Sequence, residues 1–413
     1  MGETPASGGP DVQAVRHEVR EWLSEHWHGT DDADWRRSVV AAGWAAPSWP
    51  VDKYGRGWSR ALSEVVAAEF AEVGATGAAV ELTPFHKEPY IRLLGDPLLA
   101  FGGPEVCREY LPRLLSGELG TGCLLYSEPG AGSDLAAVQT RADRDGEDYI
   151  VNGQKIWTTA GRQARFGLLL ARTDWDVPKH AGLSFFVVPM DLPGIDVRPI
   201  RQITGEADFN EVFLTDVRVP ARGMIGSPGE GWKVLQVALA AERSGMGGAR
   251  PTASKRKGML DAIGDLVEAA RRAGRADDPV VRQELMRVLS WRLTNKWTGQ
   301  RAMTEGRRAA SSLVPVVKLA QSRVLHSASD LAFRLQGQES LRYDYDEPMK
   351  NKVDRNLMFS FINSIGGGSD QIQRNIIGER VLGLPKGFEA DKGVPFKDVR
   401  RSSASRPVSG GQQ

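Results

Sequence analysis

The stretch "YIVNGQKIWTT", Tyr149–Thr159, decides how this chain divides. It lies just beyond Gly120, where the hydrophobic period changes from about 3.6 to 2. Asn152-Gly153 falls between alternating residues and predicts a β-hairpin, because a type I′ turn needs positive φ at both central positions. "FGLLLART", "LSFFVVPM" and "NEVFLTDVRVP" read as further strands, so residues 121–226 are expected to form a β unit. Upstream, residues 11–120 read as helical. "VQAVRHEVREWLSEHW" places Val12, Val15, Val19, Trp22 and Leu23 on one face, and Gly74 is the expected stop after "SRALSEVVAAEFAEVGA". Downstream, residues 227–390 turn helical again, with Ser227 as N-cap, Pro228 at the first helical position and Glu230 closing a capping box. Residues 1–10 read as a disordered N-terminus and 391–413 as a tail. Helices, then strands, then helices define an α+β chain of segregated units.

Composition narrows the function classes. A chain of 413 residues is too long for one small core. Its 53 basic and 52 acidic residues nearly cancel, so neither nucleic acid nor an anionic membrane is favoured as partner. Cys107 and Cys123 form no CxxC pattern, and a reducing cytoplasm fits them best. "MGETPASGGPDV" lacks the apolar core of a signal peptide, and no apolar run reaches the roughly 18–20 residues that span a bilayer. His26 and His28 stand two apart, wrong for one helical face, and no metal site is expected.

Two segments carry candidate chemistry. In "YSEPGAGSDLAA", Tyr126–Ala137, Pro129, Gly130 and Gly132 force a turn. Ser127, Ser133 and the backbone N–H groups beside the glycines suit phosphate oxygens or a polar ring edge; taken alone, the same loop reads equally as plain surface. In "KIWTTAG", alternation puts Trp157 and Thr159 on one face of a strand. An indole beside a hydroxyl suits one side of a flat heteroaromatic ring, and equally an amphipathic core position.

Taken in order, "YSEPGAGSD", "YIVNGQKIWTT", "FNEVFLTDVRVP" and "SDQIQRNIIGERVLG" resemble the acyl-CoA dehydrogenase family, as do "AAGWAAPSWPVDKYG" and "YLPRLLSGELGTG". The resemblance covers residues 11–390. It implies an N-terminal helical domain, a central β-barrel or sandwich domain and a C-terminal four-helix bundle, assembled as a homo- or heterotetramer. It implies FAD as cofactor, with Leu124, Tyr126, Ser127, Gly132 and Ser133 against the flavin and pyrophosphate. It also implies Trp157, Thr158 and Thr159 at the isoalloxazine, and Gly368, Ser369 and Gln371 toward the adenosine half. Ser133 and Arg243 match positions near the acyl-CoA. The implied reaction is α,β-dehydrogenation of an acyl thioester, on CoA or a carrier protein, to the trans-2-enoyl product. A carboxylate takes the α-proton, a hydride goes to flavin N5, and an electron-transfer flavoprotein is the implied acceptor.

The base is where this sequence departs from the family. Many members carry it as a glutamate just before the QIQR run, and that position here is Gly367, in "SIGGGSDQIQR". Gly367 keeps only a backbone N–H, suited to polarising the thioester oxygen. Members of the isovaleryl and long-chain types carry the base on the first long C-terminal helix, before a substrate-side arginine. The matching residues are Glu242 and Arg243, and the apolar "VALAA" before them suits a carboxylate raised by desolvation. Two other family segments are also missing: the Arg-x-x-Phe-Gly stretch is absent, and of Gln-x-x-Gly-Gly only Gly337 remains, in "RLQGQE". These losses open one rival expectation, a non-catalytic or FAD-supporting subunit of a heterotetramer; a second, a flavin oxidase or monooxygenase on the same fold, stands because a fold does not fix a function.

Overall fold

The computed structural model describes residues 10–83, 87–247, 262–304, 306–347, 350 and 352–399. Residues 1–9 of the expected disordered N-terminus, and 400–413 of the expected tail, lie outside the described residues. The N-terminal helices are α1 Val12–His26, α2 Ala33–Ala41, α3 Arg60–Glu72, α4 Tyr90–Leu93, α5 Gly95–Phe101 and α6 Pro104–Leu115. Asp11 caps α1 by accepting from the Gln13 amide, and Val15, Val19 and Leu23 are buried, whereas Val12 stays exposed at the first turn. Chain reversal after α3 uses Gly74, whose φ of +72° admits no side chain without strain.

The strands are β1 Gly122–Leu125, β2 Arg141–Asp145, β3 Asp148–Thr159, β4 Phe166–Arg172, β5 Leu183–Pro189, β6 Ile195–Ile200, β7 Phe209–Pro220 and β8 Met224–Ile225. They pair in the order β6-β7-β3-β2-β4-β5-β8, with β1 parallel to β4. β2 and β4 touch at a single register pair, Arg141 with Arg172, so the sheet can fold over at that seam. Both halves then share one apolar core: Cys123, Leu169, Phe186 and Val188 from one side, and Tyr149, Val151, Val212 and Val217 from the other. The opposite faces of β4 and β5 pack outward. Phe166, Leu168, Leu170, Phe185 and Val187 join the core of the N-terminal helices. Period-2 alternation thus makes β4 a strand buried on both faces, between helices and sheet.

The expected hairpin at Asn152-Gly153 does not occur. β3 runs unbroken through it, and the chain reverses instead at Gly146 (φ +63°), between the paired residues Asp145 and Asp148. Asn152 braces a bulge in β7: its side chain accepts from the Asp216 amide and donates to the Asp216 carboxylate, at 2.9 and 3.0 Å. Gly153 serves close approach, since a Cβ there would lie 2.5 Å from Thr140 Oγ1.

In the C-terminal part, α7 Gly231–Gly247 leads into α8 Ala262–Arg272, α9 Pro279–Thr304 and α10 Gly306–Gln336. α8, α9 and α10 share a third apolar core that includes Leu266, Val288, Val324 and Leu331, and α7 packs against α10. Shorter helices follow, α11 Lys352–Ser360, α12 Ile362–Ile365 and α13 Asp370–Ile376. α7 starts at Gly231, three residues later than expected for a Ser227 cap, because Gly229 (φ +85°) breaks the helical path. The reach-back bond survives in the preceding turn, from the Ser227 amide to Glu230 Oε2 at 3.1 Å.

Part of the expected tail is packed. The Phe396 and Lys397 amides donate to the Val177 and Trp175 carbonyls at 2.9 and 3.0 Å. Phe396 is buried beneath the Arg172 guanidinium, 3.5 Å from its ring centroid. Lys179 bridges Asp391 to Asp134, each at 3.0 Å, so this strap is tied to the glycine loop that follows β1.

Candidate active site

Near its end β3 carries a second irregularity. Lys155 pairs with Val212 and Thr158 with Asn210, so two residues of β3 stand opposite one of β7. Trp157 takes the left-handed conformation (φ +61°) to make this bulge. A one-residue slip exchanges the faces of a strand. Before the bulge Tyr149, Val151 and Lys155 point inward; after it Thr158 does, and Trp157 and Thr159 are released to the surface. Trp157 is 58% exposed, its ring edge-on to Phe209. This excludes the core position that the sequence left open for it.

The same strand anchors the glycine loop. Lys155 is fully buried and its ammonium has three acceptors: Glu128 Oε1 at 2.8 Å and the Tyr126 and Leu170 carbonyls at 3.1 and 2.7 Å. Glu128 in turn accepts from the Gln139 and Thr140 amides and the Thr140 hydroxyl, at 2.6–2.8 Å. Burial opposes both charges. For Glu128 the Lys155 ammonium and these hydrogen bonds outweigh it and hold the carboxyl below its ordinary range. For Lys155 burial prevails and lowers the ammonium, with Glu128 opposing. The loop closes by reciprocal bonds between Glu128 and Ala131, and the Ile156 amide donates to the Ser127 carbonyl at 2.9 Å. Ser127 is thereby fixed beside the residue that precedes Trp157. Sequence reasoning missed this ion pair; its one visible signal was a lysine at an inward position of an alternating strand.

Across the site is the glycine corner. The Ser133 and Ser369 hydroxyls, 236 residues apart, meet at 3.4 Å. Ser369 also caps α13 by accepting from the Ile372 amide. Gly367 and Gly368 have φ of +66° and +92°, which explains two glycines of the triplet on backbone grounds. Beneath them Gln373 is fully buried, its amide donating to both glycine carbonyls at 3.4 Å. Asp370 accepts from Ser322 at 2.8 Å and Lys318 at 3.4 Å, fastening the corner to α10. A Cβ at Gly368 would lie 2.7 Å from Gln373 Nε2. Gly368→Ala is therefore expected to cost about 1–3 kcal/mol, read as a lower thermal midpoint; an unchanged midpoint would show that the corner yields.

The third wall is α7. Val234, Leu235, Ala238 and Ala241 are buried, and Glu242 continues that stripe four residues after Ala238, half-buried. α7 crosses α4, α5 and β5. Its Glu242 charge reaches Tyr90 on α4 and Tyr126 after β1; burial first, with that charge added, pushes both phenols upward. Arg243 lies on the same helix, and its side chain is outside the described residues.

The expected cofactor residues divide by exposure. Trp157, Thr159, Gly132, Ser133 and Gln371 are exposed, and Ser127, Gly368 and Ser369 are half-buried. Three side chains turn away. Thr158 is buried and its hydroxyl donates to the Leu124 carbonyl at 3.4 Å, Leu124 packs against the helical core, and Tyr126 lies against Phe185. Only the backbones of these three can face a cofactor. The remaining set suits a flavin dinucleotide: an exposed indole flanked by hydroxyls, and a glycine loop where a Cβ at Gly130 or Gly132 would meet nothing within 4 Å.

With this geometry, the chain belongs to the acyl-CoA dehydrogenase family and is an FAD-dependent oxidoreductase. Residues 10–118 match the description "Acyl-CoA dehydrogenase, N-terminal domain", 123–217 the middle domain and 229–382 the C-terminal domain. Acyl-CoA dehydrogenase IpdE1 of Mycobacterium tuberculosis is 37% identical over 406 residues, covering 91% of this chain and 98% of that protein. The ChsE4-ChsE5 complex from Mycobacterium tuberculosis is similar in structure, with TM-score 0.64 and 26% identity over 93% of this chain and all of the other. The Tcur3481-Tcur3483 steroid ACAD shares the fold at TM-score 0.65 and 23% identity, covering 94% of this chain and 100% of that one. Among the described residues no helix is long and apolar enough to cross a membrane.

Proposed function

We propose that this chain removes the α-proton and β-hydrogen of an acyl-CoA thioester, forming the trans-2-enoyl product, with Glu242 as base. The observation that carries this reading is the position of Glu242 on α7, half-buried and four residues after the buried Ala238 on the same stripe. The other family position, Gly367, has no side chain to offer. FAD supplies the acceptor for the β-hydrogen and its electron pair. Ser127, Trp157 and Thr159 orient the ring, Gly368, Ser369 and Gln371 hold the adenosine half, and Ser133 and Arg243 hold the thioester. The Gly367 amide polarises the thioester oxygen as charge develops there, a contribution of about 3–4 kcal/mol for one such donor. Space left by the missing side chain at 367 favours branched or alicyclic acyl groups. The test is anaerobic flavin bleaching by octanoyl-, isobutyryl- and cyclohexane-1-carbonyl-CoA, with the product identified by mass. Bleaching fastest with the bulky substrates and a product two hydrogens lighter is expected; no bleaching by any acyl-CoA would sink the reading.

We further infer an oligomer, a tetramer with itself or with a second family member, built on the C-terminal edge. Ile365, Leu382, Leu384 and Phe388 are 56–96% exposed, and large exposed apolar side chains suit burial against another chain. Leu382→Asp with Leu384→Asp is expected to lower the sedimenting mass; an unchanged mass places the interface elsewhere. An electron-transfer flavoprotein is the proposed acceptor, and a soluble cytoplasmic setting the proposed location.

A further inference from the structure

The loop between β6 and β7, residues 201–208, is gripped from two sides. On the side of its own sheet it closes on itself and then on β3. The Gln202 amide donates to the Glu206 carbonyl at 2.8 Å, and the Gln202 side-chain oxygen accepts from the Asp208 and Phe209 amides at 2.9 and 3.3 Å. The Asp208 carbonyl accepts from the Ala160 amide at 3.1 Å, while Phe209 pairs with Thr159 and sets its ring edge-on to Trp157. The loop is therefore bonded directly to the strand end that carries Trp157 and Thr159.

The second grip comes from the C-terminal helices. Arg355 on α11 forks onto Glu206: Nε donates to both carboxylate oxygens at 3.1 Å, and Nη2 to Oε1 at 2.9 Å. The two side chains are 8% and 15% exposed, so little water reaches the pair, and a bidentate fork fixes direction as well as distance. The Tyr343 hydroxyl donates to the Thr204 carbonyl at 2.7 Å, and a Cβ at Gly205 would lie 3.0 Å from the Tyr345 carbonyl. At the other end of α11, His326 of α10 reaches Ser360 through Nδ1 at 3.2 Å and Ser364 through Nε2 at 2.8 Å. Ser364 stands two residues before Gly366. One helix is thus tied at its start to the loop behind Trp157, and at its end to the segment that leads into the glycine triplet.

We propose that Arg355 and Glu206 are positioning residues for the flavin ring, forming a clamp that holds the Trp157 wall in register with the glycine corner. This rests on the placement of Trp157 beside the ring stated above. Trp157 sits exposed in a bulge with left-handed backbone, a conformation that persists only where its surroundings impose it. Those surroundings are the first residues of β7, and they hang on the loop that Arg355 grips. A buried ion pair is a weak source of stability and is better suited to selecting one arrangement.

The experiment follows FAD-loaded protein by hydrogen–deuterium exchange and by flavin emission. Arg355→Lys keeps the charge and loses the fork. Exchange in the peptides that hold Ala160, Asp208 and Phe209 is expected to quicken about tenfold, with β4 in the same sheet unchanged. An indole beside an isoalloxazine quenches its emission, so flavin emission should rise toward that of Trp157→Phe. Tyr343→Phe removes the second anchor without touching a charge; it should show the same two changes more weakly, and it decides the matter if Arg355→Lys fails to fold. Wild-type exchange and emission overturn the proposal. So does faster exchange with unchanged emission, because the clamp would then hold the loop and not the ring wall. Unchanged emission in Trp157→Phe would remove the placement of Trp157 and the proposal with it, a result distinct from failure of the clamp alone.

Discussion

Glu242→Gln is expected to leave FAD bound at the wild-type level and to slow substrate bleaching by about a thousandfold, within the range for loss of a general base. Glutamine matches glutamate in size and can still accept a hydrogen bond, so α7 should pack as before. It cannot take a proton from carbon. The acidity of that proton depends on polarisation of the thioester oxygen, and the expected donor for this, the Gly367 amide, is untouched by the change. Binding should therefore persist while kcat falls, the signature of an interaction used only in the transition state. Glu268 on α8, far along the chain and exposed, provides the control: Glu268→Gln should keep wild-type rates. If bleaching survived in Glu242→Gln, the proton would have to leave by another group. If FAD were lost, Glu242 would be a structural residue.

What the sequence made legible was the periodic part. The change from helical to alternating spacing falls near Gly120, and the first strand, β1, begins at Gly122. The shared exposure of Trp157 and Thr159 also holds, although for a reason local spacing does not contain. By simple alternation they would share a face with Lys155; the bulge opposite Glu211 separates them from it, and a bulge is set by the partner strand. The Asn152-Gly153 reading failed on the same ground. Asn-Gly favours a tight turn when free to choose, but here the long pairing of β3 with β7 and the contact of Gly153 with Thr140 take precedence. The strap at 391–399 was hidden because one aromatic, Phe396, fixes an otherwise polar segment. No motif or spacing marks Gln373 or Asp370, and only the fold shows one buried under the glycine corner and the other clamped to α10.

Lys155→Met is expected to cost about 3–5 kcal/mol of stability and to empty the flavin site, although Lys155 touches no expected cofactor residue except through the Tyr126 carbonyl. Removing one partner of a buried ion pair leaves the other charge without compensation, and Glu128 is nearly as buried as Lys155. Methionine fills the volume of the aliphatic stem, so the cost is electrostatic rather than a cavity. Glu128 would keep its bonds to Gln139 and Thr140 but lose the link to β3, and two carbonyls, of Tyr126 and Leu170, would lose their donor. The link from the loop to β3 would then be the Ile156–Ser127 backbone bond. Thermal unfolding and the flavin-to-protein absorbance ratio check both effects. In Lys155→Met with Glu128→Gln the uncompensated charge disappears, and the double variant should recover part of the stability, giving a coupling energy of about 0.5–3 kcal/mol for residues in one network. Recovery of flavin content should be smaller, because a neutral pair no longer pins the loop to the bulged strand. Wild-type flavin content in the single variant would show that the glycine loop holds its shape without this anchor, and the placement of Ser127 and Ser133 would then need another cause.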